Sequence, residues 1–342
     1  MRKVITAADV ERMLRAGESL ESIPSDALLT PSAQDLMRSR KLPARPSFAG
    51  PTAGRPALVE PGAGRPGESS AAAAHVCDCS ATIDLENPAA IQRFFNSPAV
   101  EAVKLQMCDI GRRMWEREFV DGNGGNITVR VAANLVLCTP TLISKGYMKP
   151  CDMCLIDLEG RQVAGTKKRT SEALTHLGIM LRQPKARACV HAHPVHATAF
   201  AVASVLPPPC LIPEAEVFLG KIGLAEYQTP GTPANGKTVG EVGVDHQVVL
   251  MENHGVITWG DNVEDAHWKM ENIDSYCRTV WIASQLGSGL HSFGTSKMKE
   301  LLAIRQKLGM SDPRLGTKDC ELCDPGDFRA APVIQPPGES KS

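Results

Sequence analysis

The chain has 342 residues, 43% of them hydrophobic, enough to bury one sizeable core and leave material for extensions. Its 37 lysines and arginines balance 38 aspartates and glutamates, so no strong field of either sign draws it to nucleic acid or to an anionic membrane surface. MRKVITAADVERMLRAGESL lacks the apolar centre of a signal peptide, and no run reaches the roughly eighteen apolar residues of a bilayer span; a soluble, cytoplasmic protein acting on a small molecule is expected.

Residues 4 to 39 read as two short helices, the first placing Val4, Val10, Met13 and Leu14 near one face and the second beginning after Pro31. Together they define a short helical N-terminal extension over residues 1–40, too small for a core of its own. Residues 41–82 are rich in Pro, Gly and Ala and poor in large apolar residues, which is linker composition. From 83 to 290 strand-like and helix-like segments alternate in a folded domain. Helices are expected around IQRFFN and AVEAVKLQMCDIGRRMWERE, then a DGNGGN turn and the strands ITVRV and NLVLCT. MCLIDLEG reads as strand and turn, Ser171 to Arg182 as a helix, ACVHAHP as a strand, VVLMENH and GVITWG as two more strands, and Val263 to Leu286 as a long helix. The C-terminal region, 291–342, holds one helix, SKMKELLAIRQKLG, and becomes polar and irregular beyond Asp312. Strands outnumber helices without strict alternation, which indicates an α/β sheet other than a simple dinucleotide-binding fold.

Eleven cysteines make an odd count, and several sit in apolar segments such as VLCTP and ACVHA, where a reduced thiol behaves as a small hydrophobe, so no disulfide framework is expected. Cys77-Asp-Cys79 and Cys320-Glu-Leu-Cys323 flank the folded domain and together have the donors of a four-thiolate zinc site, although their spacing matches no known finger. Cys151 and Cys154 form another pair that reads as core or oligomer contacts.

The strongest chemical signal is His191-Ala-His193 at the end of an apolar strand. Side chains two apart on a strand share a face and can hold one ion. His254, before a glycine at another strand end, supplies a third imidazole. Three neutral imidazoles suit a borderline ion such as Zn²⁺ and leave a coordination position for substrate. The alternative is three structural histidines. Upstream, Thr170-Ser171-Glu172 opens a helix, where hydroxyls and free backbone N–H groups favour an anion and a carboxylate in the first turn favours the dipole.

The segments GGNITVR, CTPT, TSEALTHLGIMLRQPKARACVHAHPVHATAFA, AEYQTPGT and VVLMENHGVITWGDNVEDAHWKMENID resemble the class II aldolase/adducin family, in matching order over about 200 residues. The resemblance implies an α/β fold, a three-layer α/β/α class II aldolase-like core with a mainly antiparallel central sheet, assembled as a homotetramer. It implies one Zn²⁺ per subunit on His191, His193 and His254, with Glu172 as metal ligand and catalytic base by turns. Gly125, Asn126, Thr141, Thr170 and Ser171 match positions that similar enzymes use around a substrate phosphate. The implied reaction is zinc-dependent retro-aldol cleavage of a deoxyketose 1-phosphate, L-fuculose or L-rhamnulose 1-phosphate, to dihydroxyacetone phosphate and lactaldehyde. A ketopentose-phosphate 4-epimerase or a ketose-phosphate dehydratase on the same metal site, or a non-catalytic adducin-like scaffold, are the alternatives.

The sequence departs from that pattern in places. Leu142 replaces a glycine after the TPT threonine and is expected to remove backbone access and add bulk near the phosphate. Val217 stands where those aldolases present a tyrosine. Glu216-Val-Phe-Leu-Gly220 is instead similar to the methylthioribulose-phosphate dehydratase branch, where a glutamate does acid/base work, making Glu216 a second proton-transfer candidate, with Glu214 behind it. Residues 1–40 resemble segments that target enzymes to the lumen of a bacterial microcompartment, where they dock on shell proteins; an arm packing on its own oligomer is the alternative.

Overall fold

The computed structural model describes residues 80–329, together with Val4, Ile5, Met13, Ile23, Pro24, Ala27, Leu28 and Leu29. The chain divides into two compact units, 1–68 and 69–342. In the first, β1 (Val4–Ile5) pairs in parallel with β2 (Leu28–Leu29). Val4, expected on a helix, is therefore on a strand: β-branched Val4 and Ile5 satisfy their backbone groups across to Leu28 and Leu29. Met13, also expected on a helix, is helical. Apart from the eight residues named above, the expected helical extension lies outside the described residues, as does nearly all of the expected linker.

The second unit opens with α1 (Pro88–Phe95) and α2 (Pro98–Glu116). Asn87 and Ser97 cap them through side chains that accept from Ala90 N–H and Val100 N–H, with proline at the first helical position of each. The strands β3 (Asn126–Ala132), β4 (Leu135–Cys138), β5 (Cys154–Asp157) and β6 (Gln162–Ala164) follow as an antiparallel meander. Helix α3 (Ala173–Arg182) leads to β7 (Ala188–Ala192) and α4 (Val195–Val202). After a single π-helical turn at Ala215–Leu219 come β8 (Gly223–Ala225), α5 (Pro233–Gly243), β9 (Val248–Met251), β10 (Gly255–Gly260) and α6 (Val263–Ser284). Two further helices, α7 (Gly294–Lys307) and α8 (Asp319–Leu322), end the described chain.

Among the described residues the main sheet has eight strands in the order β6-β5-β4-β3-β7-β10-β9-β8, antiparallel throughout except for the parallel pair β8–β9. Its strands other than the edge strands β6 and β8 are buried on both faces along nearly their whole length. Leu135 and Leu137 join the core beneath α2 and α6, while Val136 and Cys138, one residue out of phase, join the core beneath α3 and α5. Helices on both faces of one sheet make three layers, as expected from the resemblance, and the sheet is mixed because of its edge strand β8.

Helix α3 carries the site glutamate at its N-terminus, and its seat against α5 is built from glycine. A Cβ on Gly178 would come within 1.9 Å of the Gly236 carbonyl oxygen, and one on Gly240 within 2.3 Å of the Gly178 carbonyl oxygen. The two backbones thus touch, and nothing larger than hydrogen fits between them.

The C-terminal segment differs from the sequence reading in two ways. Cys210 and Cys323 form a disulfide, with Cα atoms 5.5 Å apart, where none was expected. The pairing also removes Cys323 from the four-thiolate site, and Cys77 and Cys79 lie outside the described residues. The sequence separation of 113 residues hid it: only folding brings the PPPC loop beside the last helix. Cys154 is buried as expected, whereas Cys151 is exposed. Beyond Asp312 the chain is polar, yet Asp312 and Arg314 are buried in ion pairs with one another at 2.9 Å, and Arg305 lies 3.3 Å from Asp312.

Because the α3–α5 contact has no space to yield, Gly178→Ala should destabilise the fold by about 1–3 kcal/mol, the usual range for overpacking. Urea unfolding at neutral pH measures it, and a change below about 0.5 kcal/mol, within the ordinary surface range, would show that the two helices separate easily.

Candidate metal centre and active site

The central strand β7 lies between β3 and β10, and its last residues carry the imidazoles. His191 pairs across to Asn126 on one side and Ile257 on the other. His193, just past the strand, is anchored by its N–H to the Phe119 carbonyl at 2.9 Å. His254 occupies the tight β9–β10 turn, after Asn253 in the left-handed region at φ 52°. Gly255 leaves the room this requires, since a Cβ there would fall 2.6 Å from the His193 ring. One ligand atom from each of the three histidines lies within 4.8 Å of the others, so the strand register, the Phe119 anchor and the β9–β10 turn together converge them.

The imidazoles are prepared as lone-pair donors. His191 Nδ1 donates to the Val256 carbonyl at 2.8 Å, which leaves Nε2 unprotonated and facing the cluster. Burial pushes the His191 pKa well below its ordinary value, and the neighbouring His254 and His193 push the same way. Burial also lowers that of His254. These rings stay neutral at physiological pH, the form that binds a cation.

Glu172 completes the group. Its Oε2 lies 3.5 Å from Nε2 of both His191 and His254 and, although buried, accepts no hydrogen bond. The residue stands at the N-cap of α3 without making a side-chain cap, so its carboxylate is turned to the imidazoles rather than to its own helix. A donorless buried carboxylate oxygen facing neutral imidazoles is a costly arrangement for a protein alone. Three nitrogens and a carboxylate oxygen are a fitting donor set for a divalent cation, which would balance that oxygen.

A chain of hydrogen bonds fixes Glu172, and the sequence reading missed most of it. Asn126 Nδ2 donates to Glu172 Oε1 at 3.2 Å. Its Oδ1 must then accept, and it does so from His176 Nε2. The remaining nitrogen, His176 Nδ1, is therefore an acceptor and takes the Thr128 hydroxyl at 2.9 Å. His176 is fully buried and burial lowers its pKa to about 3, so the ring is neutral and the direction of the chain is set. Its position four residues after Glu172, one helical turn on, was the available signal.

The other expected residues line one cavity of about 310 Å³ beside the imidazoles: Gly125, Asn126, Thr141, Thr170, Ser171 and Glu172 are all on its wall, with Lys145 and Asp121. Gly125 has φ 69°, and a Cβ there would meet Val120 at 2.5 Å and the His191 carbonyl at 2.9 Å. Leu142 departs from expectation. It adopts a left-handed backbone conformation, φ 57°, with the residue 79% exposed and absent from the cavity wall. The expected bulk is thus turned to solvent, at a backbone cost of about 1–2 kcal/mol.

Glu216 is not brought to this site. It is 3% exposed, with Oε2 held by Arg314 Nη1 at 2.6 Å and Oε1 accepting the Cys210 N–H. Within the chain it is a structural anion for the C-terminal segment, because that segment supplies the arginine that neutralises it. Glu214 is exposed, and Val217 is buried with its carbonyl accepting from Arg305 at 2.6 Å.

Residues 105–281 match the model of the class II aldolase and adducin N-terminal domain. An L-fuculose phosphate aldolase of Methanococcus vannielii is 34% identical over 176 residues, which take in 51% of this chain and 91% of that protein. A 3-oxo-tetronate 4-phosphate decarboxylase of Haemophilus influenzae is 31% identical over 177 residues, 51% of this chain and 84% of that protein. Among solved structures, YgbL of Escherichia coli superposes with a TM-score of 0.55 over 59% of this chain and 98% of its own, at 22% identity, a likeness of fold.

Neutral His176 charges on unfolding below its ordinary pKa near 6.5, so the unfolded state binds the extra proton. Stability of the metal-free protein should hold above about pH 6.5 and fall as pH drops towards about 3, at up to about 1.4 kcal/mol per pH unit for this group. Urea titrations at pH 7 and pH 5 test this, with a smaller loss expected in His176→Gln; equal loss in the variant would show that His176 is not responsible.

Proposed function

Because the chain belongs to the class II aldolase and adducin family, and is a class II lyase of the aldolase type, we propose that it cleaves a deoxyketose 1-phosphate by a retro-aldol reaction. The products would be dihydroxyacetone phosphate and lactaldehyde, and L-fuculose or L-rhamnulose 1-phosphate the substrate. The observation that carries the reading is Glu172 Oε2, buried, without a donor and equidistant from two imidazole nitrogens. A scaffold has no use for such an atom.

His191, His193 and His254 would hold Zn²⁺, with Glu172 as the fourth donor when no substrate is present. The ion, when bound, supplies Lewis-acid polarisation of the substrate carbonyl. The protein's own groups do the rest. Gly125, Asn126, Thr141, Thr170 and Ser171 surround one end of the cavity and would seat the phosphate, fixing the sugar's register against Glu172. When the carbon–carbon bond breaks, the hydroxyl on the departing carbon loses its proton as the aldehyde forms, and the electron pair of the broken bond remains on the carbon beside the carbonyl. Glu172 Oε2, protonated, delivers a proton there, so that one proton leaves and one arrives. Asn126 keeps Oε1 occupied, so Oε2 is the oxygen free to carry that proton. Assembly as a homotetramer belongs to the same reading.

A second reading is favoured by the decarboxylase relatives: loss of carbon dioxide from a 3-oxo acid phosphate leaves an electron pair on the same carbon. The two differ in what departs.

Elemental analysis of wild type and His193→Ala, with release of dihydroxyacetone phosphate from both sugar phosphates, tests the proposal. About one zinc per chain, lost with cleavage in the variant, is expected. Glu172→Gln should lower kcat by about 10²–10⁴-fold, the usual range for a general acid–base. Zinc without cleavage of either sugar, with carbon dioxide released from a 3-oxo acid phosphate, would move the assignment to the decarboxylase. No metal after reconstitution with zinc would overturn both.

A further inference from the structure

We propose that Lys145 is the cation that fixes the anionic end of the substrate, making this cavity selective for a dianionic phosphate over an uncharged group. The inference rests on the sugar-phosphate reading of the same site. Lys145 is 1% exposed, on the single 3₁₀ turn Lys145–Tyr147, and it lines the cavity with Asn126, Thr141, Thr170 and Ser171. Its Nζ donates to the carbonyls of Asn123 at 2.9 Å and Ile143 at 2.8 Å. An ammonium has three donors, and two are thereby used. The third has no protein acceptor among the described residues.

Charge makes the case for an anion. Among the described residues on the cavity wall, Lys145 is the only lysine or arginine, and the carboxylates there are Asp121 and Glu172. Without Lys145, the lysine, arginine, aspartate and glutamate side chains on that wall would be the two carboxylates alone, and a phosphate would have neutral donors but no ammonium or guanidinium to meet. Burying an ammonium is costly, and two neutral carbonyls do not repay it; holding two loops together needs only a neutral donor such as glutamine. The retained charge is explained if a ligand returns the opposite one. Burial lowers the Lys145 pKa to about 8, which still leaves it charged at neutral pH.

The turn is also rigid. A Cβ on Gly146 would fall 2.6 Å from the Trp115 ring, and one on Gly111 would fall 2.6 Å from the Lys145 carbonyl oxygen, so the turn is wedged against α2 and its lysine is held in place before the ligand arrives. Nothing in the residue's sequence context, ISKGYMK, distinguishes it from a solvated surface lysine.

Calorimetric titration of wild type, Lys145→Gln and Lys145→Arg with inorganic phosphate tests the assignment, with thermal melting to verify folding and steady-state kinetics on the sugar phosphate alongside. Lys145→Gln should bind phosphate about 10- to 100-fold more weakly, the loss of one charge-assisted hydrogen bond, and raise KM by a similar factor while kcat stays within about threefold. Lys145→Arg should recover most of the affinity. Should the glutamine variant fail to fold, the wild type labelled with ¹⁵N-lysine gives the answer, since the Lys145 ammonium resonance, assigned from the arginine variant, should shift in proportion to phosphate bound. Equal phosphate affinity in wild type and Lys145→Gln, or an ammonium signal unmoved by saturating phosphate, would overturn the role of Lys145 and leave the phosphate subsite standing. Failure of the wild type itself to bind phosphate would overturn the subsite with it.

Discussion

One buried carboxylate oxygen governs this structure. Glu172 Oε2 faces two imidazole nitrogens and receives no hydrogen bond, while its partner Oε1 is held by Asn126. Left alone, such an oxygen costs free energy on the order of a few kcal/mol, so the fold must hold it there by other means. It does so from two sides. The sheet fixes the imidazoles through the register of β7 against β3 and β10, and the glycine contact between α3 and α5 fixes the helix from which Glu172 projects. The two sides are joined by the core that α3 shares with the sheet, where Leu177 and Ile179 are buried in one cluster with Cys189 and Ile257.

The electrostatics follow from the same burial. Desolvation keeps His191, His254 and His176 neutral, for two different ends: the first two must offer lone pairs, and His176 must present Nε2–H to Asn126 and accept from Thr128. A charged His176 would have two N–H groups: Nε2–H would still donate to Asn126, but the Thr128 hydroxyl would have to turn and accept from Nδ1 instead of donating to it. Thr128 and Asn126 sit on β3, next to the strand that carries His191. The β3 end of the orienting chain and His191 are therefore positioned by one pair of neighbouring strands, while His254 comes from the β9–β10 turn.

Much of this was legible in the sequence. The His-x-His spacing on an apolar strand, the histidine before Gly255 and the glutamate opening a helix each carry a local pattern, and all four side chains converge. An α/β sheet followed from the mixture of strand-like and helix-like segments, and its three layers from the family resemblance. The parts that escaped depend on long-range neighbours. Lys145 lies on a turn that packs against Gly111 and Trp115 of α2, distant in sequence, and Cys210 meets Cys323 only across the folded C-terminal segment. Glu216 was legible as a carboxylate in a family-like stretch, but its partner, Arg314, lies in a tail that reads as polar and irregular. Leu142 breaks the local rule that a left-handed position takes glycine, and only the folded chain shows that the position is left-handed and that the residue is exposed.

The central claim is that the imidazole cluster and Glu172 together move a proton at the carbon beside a carbonyl. The most direct measurement is hydrogen exchange into dihydroxyacetone phosphate in deuterated water, followed by NMR with zinc-loaded wild type and Glu172→Gln and with no aldehyde present. The account predicts that wild type exchanges one of the two hydrogens on the hydroxymethyl carbon, and that the variant exchanges neither while still binding the ion. Zinc-loaded wild type that binds dihydroxyacetone phosphate without exchanging either hydrogen, or a variant that exchanges as fast as wild type, would contradict it.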